Sequence, residues 1–201
     1  MDAVLTDAVL PSRLRPVKRL SADQLFEFCA RNEMLRIEQD ANGELILMSP
    51  SGLEGDGATV ELTTELTLWA RQDGRGKSFG DNAGFTLPDG SMRSPDAAWM
   101  SWERWNALSA RERERFGRVV PEFVVELRSK SDRLADVREK MKMWIGNGVE
   151  LAWLIDPERR VVEVYRAGEA AEVWQNPTSV PGTGCVSGFC LVMERIWPPV
   201  G

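Results

Sequence analysis
The segment from residue 123 to 156 restricts the fold more than any other part of the chain. "FVVELRS" and "ELAWLID" are short, nearly continuous apolar runs, and "RLADVREKMKMWIGNG" lies between them. Runs of that length suit strands buried on both faces. In the middle piece Leu134, Val137, Met141, Trp144 and Ile145 recur at helical spacing and glycines close the stripe, which predicts an amphipathic helix. A strand, a helix and a second strand in this order form a right-handed parallel crossover. The chain therefore needs a mixed α/β sheet with at least one face covered by helix.

The remaining segments fit one domain around such a sheet, since 201 residues of 43% hydrophobic composition can bury one substantial core. Residues 1–20 contain "PSRLRPVKR" and read as a surface arm, and residues 21–201 read as the domain. Ser21 with Gln24 forms a capping-box pattern for a short helix. "LRIEQDANGELILMS" predicts a hairpin about its "NG" turn, and "SPSGLEGDG" a loop after it. "ATVELTTELTLWARQDG" predicts a helix with Leu62, Leu66 and Trp69 in one stripe. Short strands follow in "KSFG", "AGFTLPDG" and "SMRSPDAAWM". A helical excursion is expected over 101–120, and a strand pair with a third edge strand follows residue 150.

Within this pattern two carboxylates stand where a core is expected. Glu126 shares a strand face with Val124 and Arg128, and Asp96 follows Pro95 at the start of "DAAWM". A buried carboxylate has to be paired, protonated or bound to a cation, because its unpaired desolvation costs several kcal/mol, roughly. An ion pair of Glu126 with Arg128 or a neighbouring strand, and backbone hydrogen bonds to Asp96, would account for each alone. Two carboxylates at adjacent strand ends are also the minimum holder for a hard cation such as Mg²⁺ or Mn²⁺. Lys140 follows Glu126 by fourteen residues, on the border of the helical stripe, from which its stem can carry an ammonium over the strand ends. Arg138 and Lys142 flank the stripe too. Glu54 stands before the helix containing Glu61 and Glu65, where a carboxylate is favourable without any chemistry.

Composition excludes several chemistries. The chain has no histidine, so histidine-assisted hydrolysis and histidine-ligated zinc are ruled out. "GxGxxG" and "GxxxxGKS/T" are absent. The three cysteines, Cys29, Cys185 and Cys190, form no disulfide framework and suit a reducing setting. No apolar run approaches the ~20 residues of a bilayer crossing, so a cytoplasmic protein without membrane contact is expected. Net charge is -6, against a non-specific DNA coat, although residues 101–142 hold eleven Lys or Arg against eight Asp or Glu. Trp99, Trp102 and Trp105 could pack in the core, at a dimer interface or against a base.

"RSPDAAWMSWERWNAL", "PEFVVELRSKSDRLADVREKMKMWIGNGVELAWLIDPERRVVEVYR" and "NPTSVPGTGCVSGFCLVM" together resemble the putative restriction endonuclease family abundant in cyanobacteria, of the PD-(D/E)XK nuclease superfamily. The resemblance runs from about residue 20 to the C-terminus. It implies a restriction-endonuclease-like core, a mixed sheet with flanking helices, that hydrolyses phosphodiester bonds of DNA with Mg²⁺ or Mn²⁺. The family's metal-binding aspartate and glutamate fall on Asp96 and Glu126, its displaced lysine on Lys140, and the superfamily's early acidic residue on Glu54. Arg128 stands where the superfamily has lysine, and can hold phosphate but cannot accept a proton.

On this reading Lys140, with a pKa lowered by apolar surroundings, would help deprotonate water. Lys140→Met would keep its fold and its metal, and Arg128→Lys would be tolerated. A homodimer addressing two DNA strands is the expected assembly. Two other functions remain open on the same residues: a non-catalytic nucleic-acid-binding or protein-interaction module, and a metal-dependent phosphoesterase acting on small substrates.

Overall fold
The structure, a computed structural model, describes residues 12–48 and 52–198. A short strand β1 (Ser12–Leu14) precedes α1 (Ala22–Arg31). The capping box at Ser21 forms: its hydroxyl accepts from the Gln24 N–H at 3.3 Å, and the Gln24 side chain accepts from the Ser21 N–H at 3.0 Å. β2 (Arg36–Gln39) and β3 (Leu45–Met48) make the expected hairpin, with Gly43 at φ 85° in the turn. Then come α2 (Leu53–Asp73), β4 (Gly76–Gly80), β5 (Phe85–Thr86), β6 (Met92–Arg93) and β7 (Ala97–Ser101). The helical excursion is split into α3 (Trp102–Ala107) and α4 (Ala110–Arg113), because Ser109 caps the second piece through Glu112. β8 (Phe123–Leu127), α5 (Leu134–Gly146) and β9 (Leu151–Asp156) form the crossover. β10 (Val161–Arg166), β11 (Glu172–Gln175), β12 (Ser179–Pro181) and β13 (Cys190–Val192) follow.

The central sheet has the order β11-β10-β9-β8-β7-β4, and β8 with β9 is its one parallel pair among the described residues. Alternation along β8 divides the core. Phe123 and Val125 face α2, packing with Leu62, Leu66, Trp99 and Trp153, whereas Val124 faces α5 with Met141 and Trp144. A second sheet, β1-β3-β2-β6-β5, turns Ile37, Leu45, Leu47 and Met92 toward Leu25 of α1. Its other face carries Arg36, Glu38 and Arg93.

Three expectations change. Residues 1–11 of the arm lie outside the described residues, and Ser12–Leu14 is an edge strand on β3. Residues 49–51 of the expected loop also lie outside them, and α2 begins at Leu53, so Glu54 is inside the helix rather than ahead of it. Burial of Leu62, Leu66 and Ala70 stabilises α2 enough to carry Gly55 and Gly57 in its first turns. The positive excess over 101–142 is largely spent internally: Arg111 and Arg115 pair with Asp23, and Arg104 with Glu122 and Glu150. The tryptophans are engaged as well. Trp99 is buried against Trp69, Trp102 Nε1 donates to the Gly74 carbonyl at 2.8 Å, and Lys77 lies 4.1 Å over Trp105.

Candidate active site
The antiparallel register sets Ala97 opposite Val125 and Ala98 opposite Val124, so Asp96 falls beside Glu126 on the α5 side of the sheet. Both are buried. Asp96 Oδ2 accepts the Leu127 N–H at 2.7 Å, the kind of backbone bond expected for it. Helical spacing of i and i+4 then places two donors over Glu126. Lys140 Nζ lies 2.9 Å from Oε1 and 3.1 Å from Oε2, and Trp144 Nε1 donates to Oε1 at 2.8 Å. Asp96, Glu126 and Lys140 are thus gathered at one point.

Three further residues arrive from the small sheet, and sequence reasoning missed them. Glu38, 2% exposed, accepts from Lys140 Nζ at 3.0 Å and the Ser94 N–H at 3.1 Å through Oε1. Its Oε2 accepts from Arg93 at 2.9 Å. Arg36 Nη1 reaches Asp96 Oδ1 at 3.0 Å, and its Nη2 donates to the Ser94 carbonyl at 2.8 Å. Arg36 and Glu38 alternate with Ile37 and Gln39, which is also how an ordinary solvent-facing strand looks. No local signal separates the two cases. Trp144 was legible only as a core residue; its indole N–H adds a polar role to the same side chain.

Two expected members are placed elsewhere. Glu54 is exposed and pairs with Lys130 at 3.1 Å, and it makes no ion pair with the other site residues among those described. Arg128, expected to be free for phosphate, is occupied. Its Nη1 donates to Asp156 at 2.8 Å, and Nε and Nη2 donate to the Asp132 carbonyl at 3.2 and 3.0 Å. This also corrects the expected tolerance of Arg128→Lys, because an ammonium cannot reproduce that fork. Asp156 is buried, so Arg128→Lys is expected to lose about 1–3 kcal/mol in a urea-unfolding measurement and to gain no cleavage rate. Unchanged stability would refute the structural role.

Residues 22–194 match the Uma2 family, described as "Putative restriction endonuclease". The chain belongs to this family. A solved structure from Anabaena variabilis, described as a putative nuclease belonging to DUF820, aligns with a TM-score of 0.68 at 19% identity, over 80% of this chain and 89% of that one. That likeness shows the fold, a restriction-endonuclease-like mixed sheet with flanking helices. A structure described as a DrdV–DNA complex aligns at a TM-score of 0.38 and 15% identity, over 57% of this chain and 9% of that one, and bears on neither fold nor function. Among curated proteins there is no match.

In this Uma2 chain the cluster is electrostatically divided. Burial, reinforced by the charges of Asp96 and Glu38, pushes the Glu126 carboxyl up to about 7 against the pull of Lys140. Burial acts on Glu38 too, but Lys140 and Arg93 outweigh it and hold that carboxyl down at about 2. Lys140 is raised above its usual value: burial opposes its charge, but Glu126 and Glu38 favour it more strongly. The ammonium therefore persists, correcting the expectation of a lowered lysine.

The two carboxyls have opposite linkage. Glu126 binds a proton in the folded state that the unfolded chain has released, so its stabilisation is full below about 4.5 and is lost as pH rises through about 7. Glu38 contributes above about 4.5 and loses that contribution as pH falls toward about 2. With no histidine in the chain, little else titrates between pH 6 and 8. In EDTA, the thermal midpoint is expected to fall over that interval by roughly 2–4 °C, corresponding to about 1 kcal/mol. A flat profile would contradict the proton on Glu126.

Among the described residues no group of three or more His, Cys, Asp or Glu side chains is arranged to hold a metal by itself. Asp96 and Glu126 are adjacent carboxylates, the donor type a hard divalent ion takes, and they already accept from Arg36, the Leu127 N–H, Lys140 and Trp144. Also among the described residues, no helix is long and apolar enough to cross a membrane.

Proposed function
We propose that this protein is a metal-dependent endonuclease that hydrolyses phosphodiester bonds of DNA, acting in the cytoplasm as a homodimer. The observation carrying this reading is the convergence of Asp96, Glu126 and Lys140 from two adjacent strand ends and the following helix. Asp96 and Glu126 would hold Mg²⁺ or Mn²⁺. Such an ion would acidify water and neutralise charge on phosphate oxygens. Lys140, kept as an ammonium, would orient the attacking water and stabilise charge developing on the phosphate. Glu38 and Trp144 would position Lys140 and Glu126 by direct hydrogen bonds.

A second reading, a non-catalytic binding module, is supported by the cations that already neutralise these carboxylates. Plasmid, single-stranded DNA and small phosphate esters should be compared with Mn²⁺, using wild type and Glu126→Gln. Glu126-dependent plasmid cleavage is expected. Turnover of small esters alone would favour a phosphoesterase, and no turnover with retained DNA binding would favour the module.

A further inference from the structure
The site holds as many positive as negative side chains. Glu38, Asp96 and Glu126 face Arg93, Arg36 and Lys140. With Glu126 ionised the cluster is formally neutral, and a divalent ion entering it then adds two charges in a place of low dielectric, where unbalanced charge is costly. Some cation has to move, or an anion has to enter with the metal. Lys140 is held between two buried carboxylates, and Arg93 is tied to the nearly inaccessible Glu38. Arg36 is the cation that sits on Asp96 itself, at 3.0 Å, on one of the oxygens a metal would need.

Two features suit Arg36 for displacement. The same Nη1 lies 4.0 Å from Asp81 Oδ2, and the Asp81 side chain is 42% exposed, so a second carboxylate stands ready beside the first. Its Nε is buried and has no hydrogen-bond partner, as is Arg93 Nε. A buried guanidinium N–H without an acceptor is unfavourable, and a phosphate oxygen is the acceptor its fork matches best.

We infer that Arg36 is a movable counter-ion: it holds Asp96 in the metal-free protein, shifts toward Asp81 when a divalent ion takes Asp96, and then binds the phosphodiester. Metal and substrate phosphate consequently bind in concert, each tightening the other, as linkage requires. The inference rests on the metal-centre reading of Asp96 and Glu126.

Calorimetric titration of the full chain with Mn²⁺, with and without dimethyl phosphate as a phosphodiester probe, tests it. Arg36→Gln is expected to bind Mn²⁺ tighter than wild type by roughly 5–150-fold, the usual span of such couplings. Dimethyl phosphate should tighten Mn²⁺ binding in wild type and do so much less in Arg36→Gln. Asp81→Asn, at a half-buried position, should weaken Mn²⁺ binding in wild type and have no effect in the Arg36→Gln background.

A wild type that binds Mn²⁺ through Glu126 while Arg36→Gln binds no tighter would overturn the counter-ion and leave the metal centre standing. Weakening by Asp81→Asn in both backgrounds would make Asp81 a ligand and also overturn it. If Arg36→Gln fails to fold, unchanged Mn²⁺ affinity in Asp81→Asn is enough to reject the inference. Absence of Mn²⁺ binding in wild type, even with dimethyl phosphate, would remove the metal-centre reading and this inference together.

Discussion
Lys140→Met is expected to lower the stability of the metal-free protein at pH 8 by about 3–5 kcal/mol, the usual cost of removing one partner from a buried ion pair. Lys140 bridges Glu38 and Glu126, and after its removal Glu38 keeps Arg93 while Glu126 keeps only the Trp144 N–H. Two buried carboxylates would then share the site with less compensation. Protonation of Glu126 offers relief, so the deficit should shrink as pH falls from 8 toward 5. The expectation from sequence, an intact fold in this variant, is therefore corrected. Chemical denaturation across this pH range measures the effect, and Lys140→Met combined with Glu126→Gln should recover much of the loss. Cleavage by folded, Mn²⁺-saturated Lys140→Met is expected to be slower by ~10²–10³, the span associated with losing one group that stabilises charge in the transition state. A stability loss below about 1 kcal/mol would mean that Lys140 is not the counter-ion of this cluster.

Glu126→Gln has the opposite signature. Metal affinity should fall by more than about 100-fold, beyond the 10–100-fold typical of losing a group behind the ligands. Cleavage should fall with it. Folding should survive or improve, because the amide retains an acceptor for Trp144 Nε1 and Lys140 Nζ while the buried charge next to Asp96 and Glu38 is gone. The decline of the thermal midpoint between pH 6 and 8 should disappear in this variant. Calorimetry with Mn²⁺ and a thermal scan in EDTA give the two readouts. Retained Mn²⁺ affinity would remove Glu126 from the metal centre, whereas lost affinity with a large drop in stability would mark it as a structural anchor.

The crossover of β8, α5 and β9 was legible because its signals are local: two apolar runs and a helical stripe leave few ways to cover both faces of a strand. Periodicity put Glu126 on a buried strand and Lys140, with Arg138 and Lys142, on the border of the helical stripe, and the family resemblance singled out Asp96, Glu126 and Lys140 as one set. Glu54 was harder to place. Glycines on either side of it suggested a loop, and only packing of Leu62, Leu66 and Ala70 on the sheet extended the helix back to Leu53. Arg128 shares the face of Glu126 as alternation requires, but pairing β8 with β9 gave it Asp156 as its partner.

The sequence by itself determined the strand–helix–strand crossover, the strand face that Glu126 shares with Val124 and the helix that carries Lys140, because each depends on periodicity over a few residues; the register of β7 on β8 then brought Asp96 to that face. Tertiary structure alone decided that Glu38, Arg36 and Arg93 complete the site. They belong to a second sheet, and the bond from Lys140 to Glu38 alone spans 102 residues of sequence. Along their own strands they alternate like any polar face turned to water. Whether such a face meets solvent or a buried ammonium depends on how two sheets pack, and that is a property of the whole core.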